Sequence, residues 1–294
     1  MKKDLFQLAA LFLAAAGVYG VYLHMAHAAV PQQKPIVSQV HHVPAPPPPV
    51  TRPFKVAHIF VPLCDNENQG IVPVPEHLGN GQDPEGNLYW GARYGVKTFF
   101  KQSSEWEELS LEQPLCGCGS ILKRAAFRRR ASPDRLIVAE AYSGIDMTEA
   151  IKDFLKAAAG ILERSFEVRL DGNAHRIDAG GAADLVAFVG HNGLMDAPLE
   201  HVPERMGRNG PVGAVVLACK SLPYFKEPLQ SARCPLWVGT TGFMAPEAYA
   251  LDAVLSGWIG EEPPSLLCRR AAEAYARYQR CNARAAERLF APGP

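Results

Sequence analysis

Five short, continuous runs of apolar residues constrain the fold of this chain more than any other sequence feature. Each has five to eight residues, which is the length of a buried strand and shorter than an ordinary helix. Such runs are typical of parallel strands that are covered on both faces. They occupy residues 56–63, 135–141, 183–189, 212–218 and 236–240.

Helical patterns lie between and after these runs, at residues 146–159, 246–258 and 264–290. Strands that alternate with helices predict a parallel sheet with right-handed crossovers. The sequence therefore predicts an α/β domain over residues 54–294, with a mostly parallel sheet of five or six strands and helices on both faces. Residues 101–134 carry two basic stretches, at 123–124 and 128–130, and are interpreted as an excursion with a solvated charged face.

The N-terminus carries the features of an export signal. Two lysines precede an uncharged apolar run at residues 5–23, and Ala26 and Ala28 form the small-x-small pattern that signal peptidases accept. The run is also close to the length that spans a bilayer as a helix. Residues 1–28 are therefore predicted to be a signal peptide or an uncleaved membrane anchor. The protein is predicted to be periplasmic, secreted or anchored to the outer face of a membrane.

A proline-rich stretch follows at residues 29–53. Consecutive prolines favour an extended polyproline conformation. The stretch is predicted to be a semi-rigid linker that holds the domain away from a membrane or wall. A disordered leader without a role is the alternative.

The charge balance limits the classes of binding partner that we expect, and the number of cysteines limits how many of them can form disulfides. Lys plus Arg and Asp plus Glu number 30 each, so the zero net charge gives no general reason to expect nucleic acid as a partner. Outside the cytoplasm most of the seven cysteines should pair, and an odd number leaves at least one free thiol. We expect three disulfides with Cys219 as the sole thiol. No Cys or His spacing is typical of a metal site, and no cofactor is expected.

Two reactive side chains follow neighbouring apolar runs. His191 comes directly after the third run and Gly190, and Cys219 comes directly after the fourth run. Ligands bind beyond the carboxyl ends of parallel strands, so we expect the two side chains to lie together there. An imidazole can take a thiol proton and return it to a leaving group, which is the chemistry of a cysteine hydrolase. The backbone N–H groups of Gly193 and Cys219 are candidates for an oxyanion hole.

This order of motifs resembles the signature of the caspase-like cysteine peptidases, the superfamily of caspases, metacaspases, legumains and gingipains. The resemblance lies in an apolar strand that ends in His191 and a nearby glycine, followed by an apolar strand that ends in Ala218 and Cys219. It implies a peptidase of protein or peptide substrates, with His191 as general acid/base, Cys219 as nucleophile and a thioacyl intermediate. In the family a glycine follows the histidine directly, whereas Asn192 intervenes here.

The resemblance also implies a substrate pocket that is built from two segments. One follows the first apolar run, and the other follows the fifth apolar run, which comes after the cysteine. In this sequence those positions are Asp65 and the pair Thr241 and Gly242. An acidic Asp65 would suit a basic substrate side chain, whereas a turn residue that binds its own backbone is the alternative interpretation. Cys64 ends the first strand and competes with Cys219 as nucleophile, or forms a structural disulfide.

Two other functions are compatible with the same sequence. One is a catalytically inactive, exported binding module on the same fold. The other is a thiol redox protein that uses Cys116 and Cys118, which a single glycine separates.

Overall fold

The computed structural model describes residues 52–112, 119–205 and 210–293. These residues belong to one compact unit. The predicted N-terminal segment, all but the last two residues of the predicted linker, and the pair Cys116 and Cys118 lie outside them. Within the described ranges, no helix has the length and apolar character needed to cross a membrane.

In the part of the chain that the structure describes, ten strands form one mixed sheet whose order is β10-β9-β8-β7-β1-β4-β3-β2-β5-β6. In chain order they are β1 (Lys55–Pro62), β2 (Trp106–Leu111), β3 (Ile121–Arg129), β4 (Ser132–Tyr142), β5 (Glu163–Leu170), β6 (Asn173–Gly180), β7 (Leu185–Val189), β8 (Gly213–Leu217), β9 (Leu236–Thr240) and β10 (Phe290–Ala291). Strands β4, β1, β7, β8 and β9 are mutually parallel. The other five strands are antiparallel to their neighbours.

The predicted α/β class is confirmed, but the predicted sheet is wrong in strand number and direction. The sequence predicts a mostly parallel sheet of five or six strands, whereas the structure has ten strands in a mixed sheet. The five apolar runs are the five parallel strands, which are buried along most of their length. The additional strands alternate buried and exposed residues or carry charges, so a search for continuous apolar runs does not detect them.

Among the described residues, six α-helices cover the two faces of the sheet. They are α1 (Val96–Gln102), α2 (Met147–Ala158), α3 (Ser221–Ser231), α4 (Ala248–Ile259), α5 (Pro264–Gln279) and α6 (Ala283–Leu289). Apolar residues of α1, α4, α5 and α6 share one buried cluster with the sheet. Apolar residues of α2 and α3 share a second cluster with the sheet. Since residues of β7 alternate between these clusters, the central strands are sandwiched between two helical layers.

The hairpin of β5 and β6 is a clear local signal that the sequence interpretation missed. Asp171 and Gly172 connect the two strands with φ angles of 50° and 84°. Two consecutive positive φ values are typical of the tight turn that an Asp-Gly pair favours between antiparallel strands. Although β6 is an edge strand, its last residue lies against the central strand β1, where the backbone N–H of Gly180 donates to Nδ1 of His58 at 3.0 Å.

The interpretation of residues 101–134 as an excursion with a solvated charged face is wrong. These residues contain β2 and β3, and the arginines of β3 pair with carboxylates on adjacent strands. Arg128 lies 2.9 Å from Glu107, and Arg124 lies 2.9 Å from the buried Glu140. The basic residues therefore contribute to the packing of the antiparallel half of the sheet.

The single C-terminal helix predicted over residues 264–290 is also wrong. Helix α5 ends at Gln279, and Arg280 takes a left-handed conformation with φ of 52°. Asn282 then caps α6, because its side-chain oxygen accepts a hydrogen bond from the N–H of Ala285 at 3.2 Å. The break lets the chain turn back and pair Phe290–Ala291 with β9.

Candidate active site

Adjacent parallel strands place His191 and Cys219 at their carboxyl ends, on the same side of the sheet. Val189 of β7 pairs with Leu217 of β8, so His191 and Cys219 each lie two residues beyond a matched pair. The side chain of Asn192 donates to the carbonyl oxygen of Cys219 at 2.7 Å and ties the two strand ends together. The predicted proximity of His191 and Cys219 is therefore present in the structure.

Both side chains line one cavity of about 350 Å³. Its walls come from the loop after β1, the segment before α1, the two strand ends and the segment after β9. The lining residues are Gly70, Ile71, Val72, Leu88, Tyr89, Gly190, His191, Met195, Cys219, Phe243, Met244, Ala245 and Pro246. A concave, largely apolar pocket with a few polar groups is the usual form of a small binding site.

A carboxylate that the sequence interpretation missed holds the imidazole. Nε2 of His191 lies 2.7 Å from a side-chain oxygen of Asp196, and the same oxygen accepts a hydrogen bond from the N–H of Gly70 at 3.2 Å. A proton on Nε2 that is shared with Asp196 leaves Nδ1 as the basic nitrogen. The signal in the sequence is a carboxylate five residues after the histidine, across the short turn Gly193–Met195.

The thiol of Cys219 contacts the backbone of the opposite wall. Its sulfur donates to the carbonyl oxygen of Met244 at 3.4 Å and accepts from the N–H of the same residue at 3.3 Å. Within the described residues no hydrogen bond joins this sulfur to His191. Catalytic hydrogen bonds are often long or absent in a site without substrate, so this geometry does not exclude the pair.

A sharp turn between β8 and α3 presents Cys219. Lys220, the next residue, has a left-handed backbone with φ of 47°, a conformation that costs a residue with a side chain about 1–2 kcal/mol. Buried hydroxyls on both sides hold the turn. Thr240 accepts from the N–H of Ser221 at 3.0 Å, and Ser221 donates to the carbonyl oxygen of Val216 at 2.9 Å.

The two amides predicted for an oxyanion hole differ in their surroundings. The N–H of Gly193 donates to the carbonyl oxygen of His191 at 3.1 Å, so it is engaged within the turn. A side chain at position 193 would meet Cγ of Met147 at 2.6 Å, which explains the glycine there. No described residue accepts a hydrogen bond from the N–H of Cys219. Of the predicted pair, the amide of Cys219 is therefore the available donor.

The residues predicted to bind substrate lie outside the cavity wall. The Asp65 side chain is buried and accepts hydrogen bonds from the N–H groups of Glu67 at 2.9 Å and Asn68 at 3.1 Å, as a turn residue does. The hydroxyl of Thr241 donates to the carbonyl oxygen of Arg288 at 2.7 Å, and the carbonyl oxygen of Gly242 accepts from the backbone N–H of Lys220 at 2.8 Å. Thr241 and Gly242 thus support the segment whose next two residues, Phe243 and Met244, form the wall.

The competing nucleophile Cys64 is fully buried and does not line the cavity. Burial raises the pKa of the Cys64 thiol to about 11, so it is almost entirely protonated at neutral pH. Cys219 is only half-buried and reaches the cavity. The geometry therefore favours Cys219 over Cys64.

The expected disulfides are not seen among the described cysteines. Cys64, Cys219, Cys234, Cys268 and Cys281 are all free thiols, so Cys219 is one of five rather than the sole thiol. Burial raises the pKa of Cys234 and of Cys268 to about 12. Buried thiols of this kind behave as small apolar core residues.

Comparisons with protein-family models, curated proteins and solved structures found no match to this chain. In the described ranges, no group of three or more His, Cys, Asp or Glu side chains is placed to hold a metal ion.

Proposed function

We propose that this chain is an exported, caspase-like cysteine hydrolase that cleaves peptide bonds through His191 and Cys219. One observation carries the proposal. The two side chains occupy matched positions at the ends of adjacent parallel strands and line the same cavity, while the carboxylate of Asp196 lies 2.7 Å from Nε2 of the imidazole. Nucleophile, base and a third group that orients the base are the parts that nucleophilic catalysis needs.

The first half of the reaction forms a thioester. Nδ1 of His191 takes the thiol proton of Cys219, and the thiolate attacks the carbonyl carbon of the scissile peptide bond. The electron pair of the carbonyl moves onto its oxygen, which accepts a hydrogen bond from the N–H of Cys219. When the carbonyl re-forms, the C–N bond breaks and the imidazolium gives its proton to the leaving amine.

The second half uses water as the nucleophile. His191 takes a proton from water as the oxygen attacks the thioester carbon, and the C–S bond then breaks. The imidazolium returns its proton to the sulfur, which leaves a carboxylic acid product and regenerates the thiol. Asp196 stabilises the imidazolium in both halves because its carboxylate lies 2.7 Å from Nε2.

The strand arrangement supports the likeness to caspase-like peptidases. In that family the first strand lies next to the strand that carries the histidine, and here β1 pairs with β7. The cysteine follows the next strand, β8, which lies on the other side of β7. The export that we propose rests on residues 1–53 of the sequence.

Differential alkylation with iodoacetamide tests the proposal. We expect Cys219 to react faster than the exposed Cys281, because His191 generates the thiolate. The variant His191→Asn should lower the rate at Cys219 and leave the rate at Cys281 unchanged, as measured by peptide mapping. The proposal would be contradicted if Cys281 were labelled faster than Cys219 and the rate at Cys219 were the same in the parent and in His191→Asn.

A binding module without catalytic activity is the second candidate, and one observation favours it. The thiol of Cys219 has both of its hydrogen bonds with Met244 rather than with His191. Such a module predicts an unreactive Cys219 and no peptide hydrolysis. The redox alternative predicts reactivity at Cys116 and Cys118 instead, which lie outside the described residues.

A further inference from the structure

The cavity beside Cys219 has no ionised wall. None of its thirteen lining residues is Asp, Glu, Lys or Arg, and the polar side chains among them are His191, Tyr89 and Cys219. Two charged groups lie close to this wall without lining it. Asp196 binds His191, and the ammonium of Lys220 lies 4.4 Å from the centre of the Phe243 ring.

Exposed apolar side chains continue this surface out of the cavity. Val72 is 87% exposed and Phe243 is 67% exposed, the two highest values for large apolar residues in the described part of the chain. Both line the cavity, Val72 from the loop after β1 and Phe243 from the segment after β9. Large apolar side chains that are exposed around a pocket mark a surface that binds an apolar group.

We infer that this cavity selects a large, uncharged, apolar side chain on the substrate residue that supplies the scissile carbonyl. The inference rests on the proposed function, since it places that carbonyl carbon at the sulfur of Cys219. The side chain of the same residue is then the one nearest the cavity. A volume of about 350 Å³ is near the small end of ligand pockets, which span roughly 300–1,000 Å³.

A charged side chain is excluded because the cavity offers it no counter-charge. An ion that leaves water needs a partner of opposite charge, and none lines this wall. The basic preference that Asp65 suggested does not follow, because both oxygens of that carboxylate bind the adjacent turn. Selectivity here comes from apolar contact and from the absence of charge.

Peptidyl chloromethyl ketones that differ in one residue test the inference. The thiolate displaces chloride from such a probe and forms a thioether, so the rate at Cys219 is read by mass. We expect probes with Phe or Leu next to the ketone to label Cys219 at least about tenfold faster than probes with Arg or Asp. Equal rates for the four probes, or a faster Arg or Asp probe, would overturn the inference.

Iodoacetamide, which carries no side chain, separates this inference from the proposed function. Fast, His191-dependent labelling of Cys219 by iodoacetamide together with equal ketone rates would leave the hydrolase standing and remove the specificity. If neither iodoacetamide nor any ketone reacts selectively at Cys219, the proposed hydrolase function and the inferred specificity are both wrong.

A matched pair of variants locates the selectivity in the wall. We expect Phe243→Asp to reduce the ratio of Phe-probe to Arg-probe rates by about tenfold, because it places a carboxylate at the cavity. Ile145→Asp is the control, since Ile145 is 62% exposed and does not line the cavity. An unchanged ratio in Phe243→Asp, with the iodoacetamide rate preserved, counts against this cavity as the selective site.

Discussion

Asp196 orients the base of the candidate active site at the scale of a single residue. It follows His191 across one short turn, and its carboxylate accepts from the imidazole and from the backbone of Gly70. A carboxylate can only accept hydrogen bonds, so it selects the tautomer with the proton on Nε2. The base nitrogen Nδ1 is therefore specified by a residue that is itself partly exposed, with 36% of its side chain accessible.

The variant Asp196→Asn should lower peptide hydrolysis by on the order of 10²-fold. The amide can donate to Nε2 and so favours the wrong tautomer of His191, as removal of the orienting carboxylate does in serine peptidases. Because Asp196 lies at the surface, the free energy of unfolding should change by less than about 0.5 kcal/mol. The rate of hydrolysis and a urea denaturation curve measure the two effects.

Asp178→Asn is the matched control for that experiment. The Asp178 side chain is 51% exposed and pairs with Arg176. Asp178 does not line the cavity. We expect normal hydrolysis in this variant. An Asp196→Asn protein as active as the Asp178→Asn protein would mean that the carboxylate has no role beyond the turn.

At the scale of elements, the junction of β8 and α3 determines where Cys219 points. Lys220 has an unfavourable backbone conformation, and such a conformation persists only where its surroundings hold it in place. The buried hydroxyls of Ser221 and Thr240 supply that constraint, because they bond to each other's backbone N–H groups. They join the end of β8, the start of α3 and the end of β9.

Thr240→Val should destabilise the protein by about 1–3 kcal/mol, since it leaves the N–H of Ser221 buried without a partner. It should also slow alkylation of Cys219, because the turn that presents the thiol loses a constraint. Urea denaturation and the labelling rate measure the two outcomes. Combined with Ser221→Ala, the variant should show a coupling energy of about 0.5–3 kcal/mol.

Thr241→Val provides a neighbouring control with the same chemical change. Thr241 is exposed, and its hydroxyl donates only to carbonyl oxygens near the end of α6. We expect its free energy of unfolding to stay within about 0.5 kcal/mol of the parent value. Equal losses in both variants would show that the buried network has no special role.

At the scale of the whole molecule, a buried charge network joins the parallel and antiparallel halves of the sheet. Glu140 on β4 is fully buried, and its carboxylate lies 2.9 Å from Arg124 on β3. It also lies 3.2 Å from His58 on β1 and 3.5 Å from Arg164 on β5. Burial acts to raise the pKa of Glu140, but the hydrogen bond from His58 and the charges of Arg164 and Arg124 outweigh it and lower the pKa to about 2.

Stability should therefore fall in acid as Glu140 takes up a proton. Its pKa is about 2 in the folded chain against an ordinary value of 4.5, so its contribution is complete above pH 4.5 and is lost as the pH falls through 2. The shift corresponds to roughly 3 kcal/mol. Urea denaturation between pH 2 and pH 6 should show this loss in the parent protein, and a reduced pH dependence in Glu140→Gln.

The variant Glu140→Gln should itself lose about 3–5 kcal/mol near neutral pH, because it breaks a buried charge network and removes the carboxylate that Arg124 contacts, whereas Arg164 keeps Asp153. Glu149→Gln serves as the control, since Glu149 is 47% exposed and pairs only with Lys152 on its own helix. It should retain the acid-dependent loss of the parent. The same acid slope in Glu140→Gln as in the parent would assign the effect to other carboxylates.

The parallel core and the placement of His191 and Cys219 at the ends of neighbouring strands follow from the sequence alone. A continuous apolar run predicts a strand that is covered on both faces, and strands separated by helices predict parallel neighbours. Both inferences use residues that are adjacent in the chain. The Asp171–Gly172 hairpin is an equally local signal. Continuous apolar runs do not reveal this hairpin, because its strands alternate buried and exposed residues.

The antiparallel half of the sheet, the partners of its arginines and the identity of the orienting carboxylate emerged only from the tertiary structure. Arg124 and Glu140 lie on different strands, and their pairing depends on the register of β3 against β4. The same holds at the candidate site, where Asp65 and the N–H of Gly193 were expected to face substrate but bond within their own turns. Apolar pattern specifies which segments are buried, whereas the hydrogen-bond partner of each polar group depends on distances that only the folded chain defines.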